Sequence, residues 1–470
     1  MRKMGKQVHV VMLPWSAFGH LIPFRLAAIA MAKCGVKVTF VSTPKNISRL
    51  PNFPDSLKEL LSYVAIPLPA SSTDPDPLNG GEATSDIPVE KLGLLKAAYD
   101  GLRDPFEELL VQLSPDWIIH DVISCWAPAI ARNHSIPSVF FITFPSAPVA
   151  FLCKLPEGGA RNWPTWESLT SPPHWFNFPS TVAYNKPEAI MYYSMLYGDS
   201  SSGMTDADRI HKAMMDSTVI GIRASVEYEG EFLKVVEKDL KKPVIPFGLL
   251  LPDEEPKKAN WERDRFWKKT FDWLDEQPEK AVVYVAFGSE FQFSREHIKE
   301  IAYGLDISRQ PFLWSLRRPS WAIDDDDVLP EGFIEMISGR GVVSFGWSPQ
   351  LDVLGHRAVG GCLIHGGWGS VVESLYFGHN LIILPGSIDQ PLNARLLVER
   401  GIGVEIEKKD DGSVTREDVS EAVKHAMVSE AGKEMRIITE DFRLKIFANR
   451  QLQTDYIVRF VHFLHNNLTV

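Results

Sequence analysis

The stretch Gly360-Gly-Cys-Leu-Ile-His365-Gly-Gly-Trp368-Gly-Ser370-Val-Val-Glu373 decides the fold, because it runs from an apolar strand through a glycine-rich turn into a helix. The first N–H groups of a helix have no partner within that helix, and the helix dipole favours negative charge beside them. A strand, a turn and a helix in this order therefore predict an anion site at the end of a sheet.

Side chains that could complete a sugar-nucleotide site surround this turn. His365 and Ser370 flank the turn and can donate hydrogen bonds to a phosphate. Trp347 and Trp368 offer aromatic faces for a base and a sugar. Hydrogen bonds to hydroxyl groups can come from Glu373, Asp389 and Gln390.

Apolar runs of strand length alternate with helix-like segments through both halves of the chain. Such runs predict parallel sheets covered by helices on both faces. Residues 249–260 shift to proline and charge, which indicates a linker between domains at 1–248 and 261–445. We therefore predict an α/β fold class, with two doubly wound parallel-sheet domains facing a cleft. The predicted strands are 8–13, 36–42, 117–121, 138–143, 219–222, 244–247, 281–287, 312–316, 341–345, 361–365 and 381–384.

Composition excludes several classes of protein. The 470 residues carry a net charge of −11, which argues against nucleic acid as a partner. No apolar run reaches the roughly 18 residues of a membrane span, so we expect no stable membrane insertion. The four cysteines show no paired spacing, which is typical of buried thiols in a reducing compartment, and we expect a cytoplasmic protein. No P-loop or dinucleotide-binding glycine motif follows the predicted strands.

The first half contains a candidate pair for acid–base chemistry. His20 follows the turn after the first strand and opens a helix predicted over 21–33, and Asp121 ends the strand over 117–121. Both should lie at the same sheet edge, where the histidine can act as general base and the carboxylate can orient the imidazole. His120 should face the opposite way, since neighbours on a strand alternate between the two faces.

The segment from Trp347 to Gln390 closely resembles the signature box of plant secondary-product glycosyltransferases of family 1, which use UDP-sugars. The resemblance covers essentially the whole chain. It implies the GT-B fold, with two Rossmann-like domains, and an inverting transfer in which His20 is the base and Asp121 its partner. It also implies that the final helix, placed at 446–470, returns to the N-terminal domain, and apolar positions predict a helical segment over 428–468.

The resemblance assigns roles to the donor-site residues. It implies that the base and ribose are bound by Trp347, Ser348, Gln350 and Glu373. It implies that the diphosphate is bound by Ser289, His365, Ser370 and the main chain near Gly369. The transferred sugar is then bound by Trp368, Asp389 and Gln390. Alternatively, Ser289 is a turn residue that does not contact the phosphate. The family works without a metal, so we expect no cofactor besides the UDP-sugar co-substrate.

One position departs from the family pattern. The usual His-Cys-Gly-Trp-Asn-Ser core reads His365-Gly-Gly-Trp-Gly-Ser370 here, so Gly369 replaces an asparagine. A glycine at this position resembles the branch that adds sugars to existing sugars, which implies a terpenoid or flavonoid glycoside as acceptor. Gln390 favours glucose as the transferred sugar, with rhamnose, xylose and galactose as alternatives.

Two other kinds of protein could share these features. A non-catalytic protein that binds sugar nucleotides or glycosides would keep the donor site but lose the base, so the presence of both His20 and Asp121 argues against it. An epimerase acting on UDP-sugars would need no acceptor. Aromatic residues within 154–185 either line an acceptor pocket or pack an irregular insertion. We expect a monomer.

Overall fold

The structure, a computed structural model, describes residues 6–69, 77–153, 165–198, 202–252, 261–288, 291 and 293–468. In this part of the chain two separate parallel sheets form, one in each half of the sequence. The predicted fold class is thereby confirmed. The chain leaves the last strand of the first sheet at Pro246 and begins the next helix at Arg265. The predicted linker lies between these two residues.

The N-terminal sheet has seven strands among the described residues, in the order β3-β2-β1-β4-β5-β6-β7, and every pairing is parallel. Strands β1, β4, β5 and β6 are buried almost throughout, as expected of strands covered on both faces. The strands are β1 His9–Leu13, β2 Lys37–Ser42, β3 Leu61–Ala65, β4 Trp117–His120, β5 Ser138–Ile142, β6 Val219–Ile222 and β7 Val244–Pro246.

Helices cover both faces of this sheet. The first helix ends at Lys33, and Gly35, two residues later, has a φ of 88° in the left-handed region that glycine adopts without strain. The helices of this domain are α1 Phe18–Lys33, α2 Pro44–Arg49, α3 Leu92–Asp100, α4 Arg103–Leu113, α5 Ala127–Asn133, α6 Ser146–Leu152, α7 Lys186–Tyr197, α8 Asp206–Asp216 and α9 Val226–Leu240.

The C-terminal sheet repeats this plan with six parallel strands, in the order β10-β9-β8-β11-β12-β13, within the residues described. Its strands are β8 Val282–Ala286, β9 Phe312–Leu316, β10 Gly341–Phe345, β11 Val359–Ile364, β12 Asn380–Ile383 and β13 Gly403–Glu405. The helices that follow the crossing are α10 Arg265–Glu276, α11 Arg295–Ser308, α12 Phe333–Met336, α13 Gln350–Leu354, α14 Trp368–Tyr376, α15 Gln390–Glu399, α16 Arg416–Val428, α17 Glu430–Phe442 and α18 Arg450–Asn466.

Each sheet reverses its strand order at one internal boundary. In the N-terminal sheet this boundary lies between β1 and β4, and in the C-terminal sheet it lies between β8 and β11. Ligands of open parallel sheets bind outside the carboxyl ends of the strands at such boundaries. Two candidate residues, Asp121 and His365, directly follow β4 and β11.

The final helix α18 packs on the N-terminal domain. The Phe460 ring lies 4.0 Å from that of Phe247, centroid to centroid. The Trp117 indole N–H donates to the Leu464 carbonyl at 3.2 Å, and the Leu249 N–H donates to Gln453 Oε1 at 2.6 Å. Helix α18 therefore packs on the domain that holds β1, although it follows the C-terminal sheet in the chain.

Several predicted boundaries were wrong. Two edge strands, β3 and β13, were not predicted, and β13 has only three residues. Helix α1 begins at Phe18 rather than after His20. The single helix predicted over 428–468 is interrupted by a π-helical turn over Arg443–Phe447. None of the described helices is both long and apolar enough to span a bilayer.

Candidate active site

A histidine–aspartate pair lies at the carboxyl edge of the N-terminal sheet. His20, in the first turn of α1, places Nδ1 2.8 Å from Asp121 Oδ2. The carboxylate is held by two main-chain groups as well, since Oδ2 accepts from the Trp15 N–H at 3.0 Å and Oδ1 from the Val122 N–H at 2.7 Å. Strands β1 and β4, which end beside these two residues, are direct neighbours. The sheet therefore brings together two residues that are distant in sequence.

The orientation of this pair suits proton transfer. Asp121 is 2% exposed and His20 is 23% exposed, so the imidazole lies between the buried carboxylate and the cleft. A carboxylate at Nδ1 favours the tautomer that carries its proton there, which makes Nε2 the basic nitrogen. The same carboxylate stabilises the imidazolium that forms when Nε2 takes a proton.

The neighbouring His120 has a structural role, as the alternation of strand side chains predicted. Its Nε2 lies 2.7 Å from Ser217 Oγ, and its Nδ1 lies 2.9 Å from the Asp121 carbonyl oxygen. Burial lowers the pKa of His120 to about 4, so this imidazole is neutral at physiological pH.

The start of α14 presents main-chain donors at the edge of the other sheet. Gly367 precedes the helix and has no side chain to cap it. Within the described part of the chain, the N–H groups of Trp368, Gly369 and Ser370 bond to no acceptor. Three such donors at the positive end of a helix dipole could bind an anion, which is the role that the sequence predicts for this turn.

The turn before α14 requires glycine at one position. Gly366 has a φ of 84°, and a Cβ atom there would lie 3.1 Å from the Gln390 carbonyl oxygen. Asn393 fixes the turn through its side chain, since Nδ2 donates to the Gly366 carbonyl at 2.9 Å and to Asp389 Oδ2 at 2.7 Å. The loops after β11 and β12 are therefore held together at the cleft.

His365 lies at the end of β11, against the end of β8. A Cβ atom on Gly288 would lie 3.1 Å from the His365 ring. Burial lowers the pKa of His365 to about 4, so the ring is neutral, and its buried Nδ1 has no hydrogen-bond partner among the described residues. Ser370 lies in the first turn of α14 and is partly exposed. Ser289, the other predicted phosphate contact, lies outside the described residues.

The predicted nucleoside-binding residues occupy the end of β10 and the middle of α14. The Trp347 side chain is 70% exposed and can stack on a base. Gln350 Nε2 donates to Glu373 Oε2 at 2.5 Å, and Ser348 Oγ lies 2.8 Å from the Tyr284 hydroxyl. Burial raises the pKa of Glu373, and hydrogen bonding to Gln350 opposes that shift. The structure brings these four residues to one side of the α14 start.

Asp389 and Gln390 lie where α15 begins, close to the other domain. Gln390 Oε1 accepts from the Gly386 and Ser387 N–H groups at 3.0 and 3.2 Å, which leaves its amino group to donate to a ligand. Burial raises the pKa of Asp389 to about 6, against the hydrogen bond from Asn393 and the charge of the His20 imidazole. The two sheets therefore present His20 and Asp389 to one cleft.

The prediction that the Trp368 ring offers a face to the sugar was wrong. Its side chain is 3% exposed, and its indole N–H donates to the Arg223 carbonyl of the N-terminal domain at 3.0 Å. The ring also stacks on Tyr228, with centroids 6.0 Å apart. A ring already packed on both domains has no surface for a ligand, so only the main chain of Trp368 can contribute to the site.

The aromatic residues of the long insertion pack inward. Phe176 and Phe178 stack on each other with centroids 5.2 Å apart, and both meet the buried Phe232 edge-on. The Trp175 indole N–H donates to the Ala150 carbonyl at 2.9 Å. These contacts favour the packing alternative for Trp175, Phe176 and Phe178, whose side chains are partly buried against the core. Trp163 lies outside the described residues.

Sequence reasoning missed Tyr184 and Arg223, two residues of the N-terminal domain that reach the other domain. The Tyr184 hydroxyl donates to the Ile388 carbonyl at 2.8 Å and thereby holds the loop that carries Asp389. Tyr184 lies in an irregular segment, where no pattern marks it. Arg223 follows β6 directly, and a charged residue at the end of an apolar strand was an available signal.

Comparison with known proteins identifies the family of this chain. The family model described as UDP-glucoronosyl and UDP-glucosyl transferase matches residues 260–440, which include the C-terminal sheet and α14. The chain is 39% identical to UDP-glycosyltransferase 91B1 of Arabidopsis thaliana over 98% of both chains. It is 36% identical to the soyasaponin III rhamnosyltransferase of Glycine max, covering 98% of this chain and 96% of that one.

A third relative is the beta-D-glucosyl crocetin beta-1,6-glucosyltransferase of Gardenia jasminoides, at 29% identity over 95% of this chain and 96% of that one. Among solved structures, the fold matches a Phytolacca americana enzyme complexed with UDP-2fluoro-glucose and pterostilbene, with a TM-score of 0.77, 22% identity and 98% and 100% coverage. It also matches an Arabidopsis thaliana protein complexed with UDP-L-rhamnose, with a TM-score of 0.74, 24% identity and the same coverage. From the site geometry and the full-length relatives together, we conclude that this chain belongs to the plant family 1 UDP-glycosyltransferases and is a glycosyltransferase.

Proposed function

We propose that this enzyme transfers a sugar from a UDP-sugar to a hydroxyl group of a small-molecule glycoside, with inversion at the anomeric carbon. The observation that carries the proposal is the 2.8 Å contact between His20 and Asp121 at the cleft edge. A base of this kind is needed for transfer to an alcohol, whereas a protein that only binds sugar nucleotides has no use for it.

In the proposed reaction, His20 Nε2 removes the proton of the acceptor hydroxyl as that oxygen attacks the anomeric carbon. The bond between the anomeric carbon and the diphosphate breaks, and UDP leaves with the bonding electrons. Asp121 stabilises the imidazolium and keeps the ring oriented. Attack from the side opposite the leaving group inverts the anomeric centre.

The donor is held mainly by the C-terminal domain in this proposal. Trp347 stacks on the uracil, Glu373 bonds the ribose, and the N–H groups at the start of α14 bind the diphosphate. Because the helix start and neutral donors supply the needed polarity, we propose that no metal takes part. Incubation with excess EDTA should leave the rate within about twofold of that of the untreated enzyme. A loss restored by a divalent cation would contradict this.

The identity of donor and acceptor is the finer part of the proposal. Gln390 supports glucose as the transferred sugar, and the Gardenia relative is named for an acceptor that already carries glucose. The soybean relative is named a rhamnosyltransferase, which supports UDP-rhamnose as the second candidate donor. We further propose that the enzyme acts as a monomer in the cytoplasm; the four cysteines without paired spacing support the reducing compartment.

The test is a panel of UDP-sugars incubated with flavonoid and terpenoid glycosides and with the matching aglycones. We expect UDP to be released only when an acceptor is present, and a glycoside product heavier by one hexose or one deoxyhexose by mass spectrometry. Conversion of the donor without acceptor would identify an epimerase instead. UDP binding without any turnover across the panel would identify a binding protein.

A further inference from the structure

A buried arginine of the N-terminal domain lies against the start of α14. Arg223 directly follows β6, at the carboxyl edge of the N-terminal sheet, and only 3% of the residue is exposed. Its N–H donates to the Ile142 carbonyl at 2.9 Å, and its carbonyl accepts from the Trp368 indole at 3.0 Å. The backbone of Arg223 is therefore fixed to both domains.

The guanidinium of Arg223 is only partly satisfied by the protein. Its Nε donates to the Leu249 carbonyl at 2.7 Å, and its Nη2 donates to the Leu250 carbonyl at 3.3 Å. No hydrogen bond from Nη1 forms with any part of the chain that the structure describes. Glu373 interacts with Arg223 through its charge, but its nearest hydrogen bond is to Gln350. Buried charged groups in proteins are ordinarily paired, so the lack of a partner for Nη1 in the described chain needs an explanation.

Nη1 borders the space beside the second residue of α14. A Cβ atom on Gly369 would lie 3.9 Å from Nη1, and no other heavy atom of the described residues beyond the adjacent part of α14 comes within 4 Å of that position. Because Cα–Cβ bonds tilt towards the start of a helix, Nη1 lies at the same end of α14 as the unbonded N–H groups of residues 368–370. A large side chain at 369 would extend into the space beside Nη1.

The electrostatics of this region call for an anion. A helix start carries about half a positive charge, and a guanidinium beside it adds a full one. Two positive groups in a buried setting repel each other, and the charge of Glu373 offsets part of this repulsion without a hydrogen bond to Nη1 in the described chain. A ligand with anionic oxygens can accept from Nη1 and from the main chain at the same time.

We infer that Arg223 Nη1 donates a hydrogen bond to the diphosphate of the bound UDP-sugar, so that the N-terminal domain contributes a donor-binding residue. This inference rests on the proposed function. It follows that donor binding joins α14 to the Leu249–Leu250 segment at which the chain leaves the N-terminal domain, because one guanidinium contacts both. It also follows that Gly369 is needed to leave this contact open.

The first test compares the binding of UDP and uridine by calorimetry in the wild type and in Arg223→Met. We expect the affinity for UDP to fall at least about tenfold, while the affinity for uridine changes by less than about twofold. Arg132→Met is the matched control, because it removes one positive charge from an exposed site in the same domain. Equal losses for both ligands would make Arg223 a structural residue, and unchanged UDP affinity would exclude the contact; either result overturns the inference.

A second variant covers the case in which Arg223→Met fails to fold. Gly369→Leu places an apolar side chain beside Nη1 and leaves the bonds from Arg223 to Leu249 and Leu250 intact. We expect it to weaken UDP binding more than uridine binding, with Gly369→Ala showing a smaller loss. A Gly369→Leu variant that binds UDP as tightly as the wild type would overturn the inference.

The double variant then tests whether both positions act on the same ligand group. If they do, Arg223→Met adds little to the loss already caused by Gly369→Leu, whereas fully additive losses would contradict a shared contact. A wild-type chain that binds no UDP would remove the proposed function together with this inference. Wild-type UDP binding with unchanged variants would overturn this inference alone.

Discussion

The two domains place different chemistry at equivalent points of the same architecture. In the N-terminal domain the reversal of strand order between β1 and β4 carries two side chains, His20 and Asp121. In the C-terminal domain the reversal between β8 and β11 carries the main-chain N–H groups that begin α14. The chemistry of the N-terminal edge depends on which side chains are present, and the chemistry of the C-terminal edge depends on where a helix starts.

This difference sets how each site responds to substitution. A base that moves a proton has no substitute, because proton transfer needs one imidazole at one position. A row of main-chain donors keeps its function when one side chain changes, because each N–H group is supplied by the backbone. The N-terminal site should therefore be fragile, and the C-terminal site should be tolerant.

The largest effect should come from removing the base. We expect His20→Ala to lower kcat at least about 100-fold, with little change in the affinity for UDP. Steady-state kinetics and calorimetry would measure the two quantities. His462→Ala, at an exposed position on α18, is the control and should keep normal turnover. Near-normal turnover of His20→Ala would remove this residue from the mechanism.

A smaller loss should follow when the base stays and its partner changes. Asp121→Asn keeps the size of the side chain but offers an N–H group to His20 Nδ1, which favours the wrong tautomer. We expect kcat to fall clearly, but by less than in His20→Ala, because the imidazole is still present. The double variant with His20→Ala should be no slower than His20→Ala alone, since the two residues act as a unit. Additive losses would show that Asp121 has a separate role.

The pH dependence of donor binding should report on Asp389. Its pKa of about 6 means that the carboxylate is ionised at neutral pH and protonated at about pH 5. A protonated carboxyl is a weaker acceptor for sugar hydroxyls, so we expect KM for the UDP-sugar to rise about fivefold over this range. Asp389→Asn should show a high KM with no such rise, and a parallel rise in that variant would assign the effect to another group.

The sign of the stability effect separates this titration from unfolding. Because the carboxyl of Asp389 binds its proton more tightly in the folded protein than in the unfolded chain, lowering the pH from about 6 to about 4 increases its contribution to stability. Thermal unfolding followed over this range therefore provides the control. A rise in KM that coincides with a loss of folded protein would not come from Asp389.

The smallest effect should come from a side chain at the start of α14. Ser370→Ala removes one hydroxyl group but keeps the N–H groups of residues 368–370, so we expect KM for the UDP-sugar to rise only about threefold. Initial rates at varied donor concentration would measure it. A loss as large as that of His20→Ala would mean that the hydroxyl, rather than the main chain, holds the diphosphate.

Much of the fold could be predicted because its strands are buried on both faces. Runs such as those of β1, β5 and β11 are apolar throughout, which marks them without any tertiary information. The missed strands β3 and β13 lie at sheet edges, and the pattern of β3 is only partly buried. Edge strands make fewer apolar contacts, so their sequences carry a weaker signal.

The candidate site also contains residues whose roles could be predicted from sequence and residues whose roles could not. Most donor-site residues lie within one continuous segment, so local patterns of strand, turn and helix were enough to find them. The role of the Trp368 ring could not be predicted, because Tyr228 and the Arg223 carbonyl that bury it belong to the other domain. Contacts between domains depend on how two finished surfaces fit, and no short-range periodicity encodes that fit.

The sequence by itself determined two parallel sheets, a helix start suited to an anion, and a histidine and an aspartate at strand ends, because local hydrophobic patterns and turn residues dictate each of these. Only the tertiary structure decided that His20 and Asp121 lie 2.8 Å apart, that Asp389 faces the same cleft, and that Arg223 reaches the start of α14. The physical reason is that these contacts join residues far apart in the chain. They exist only after the strands have paired and the two domains have packed together.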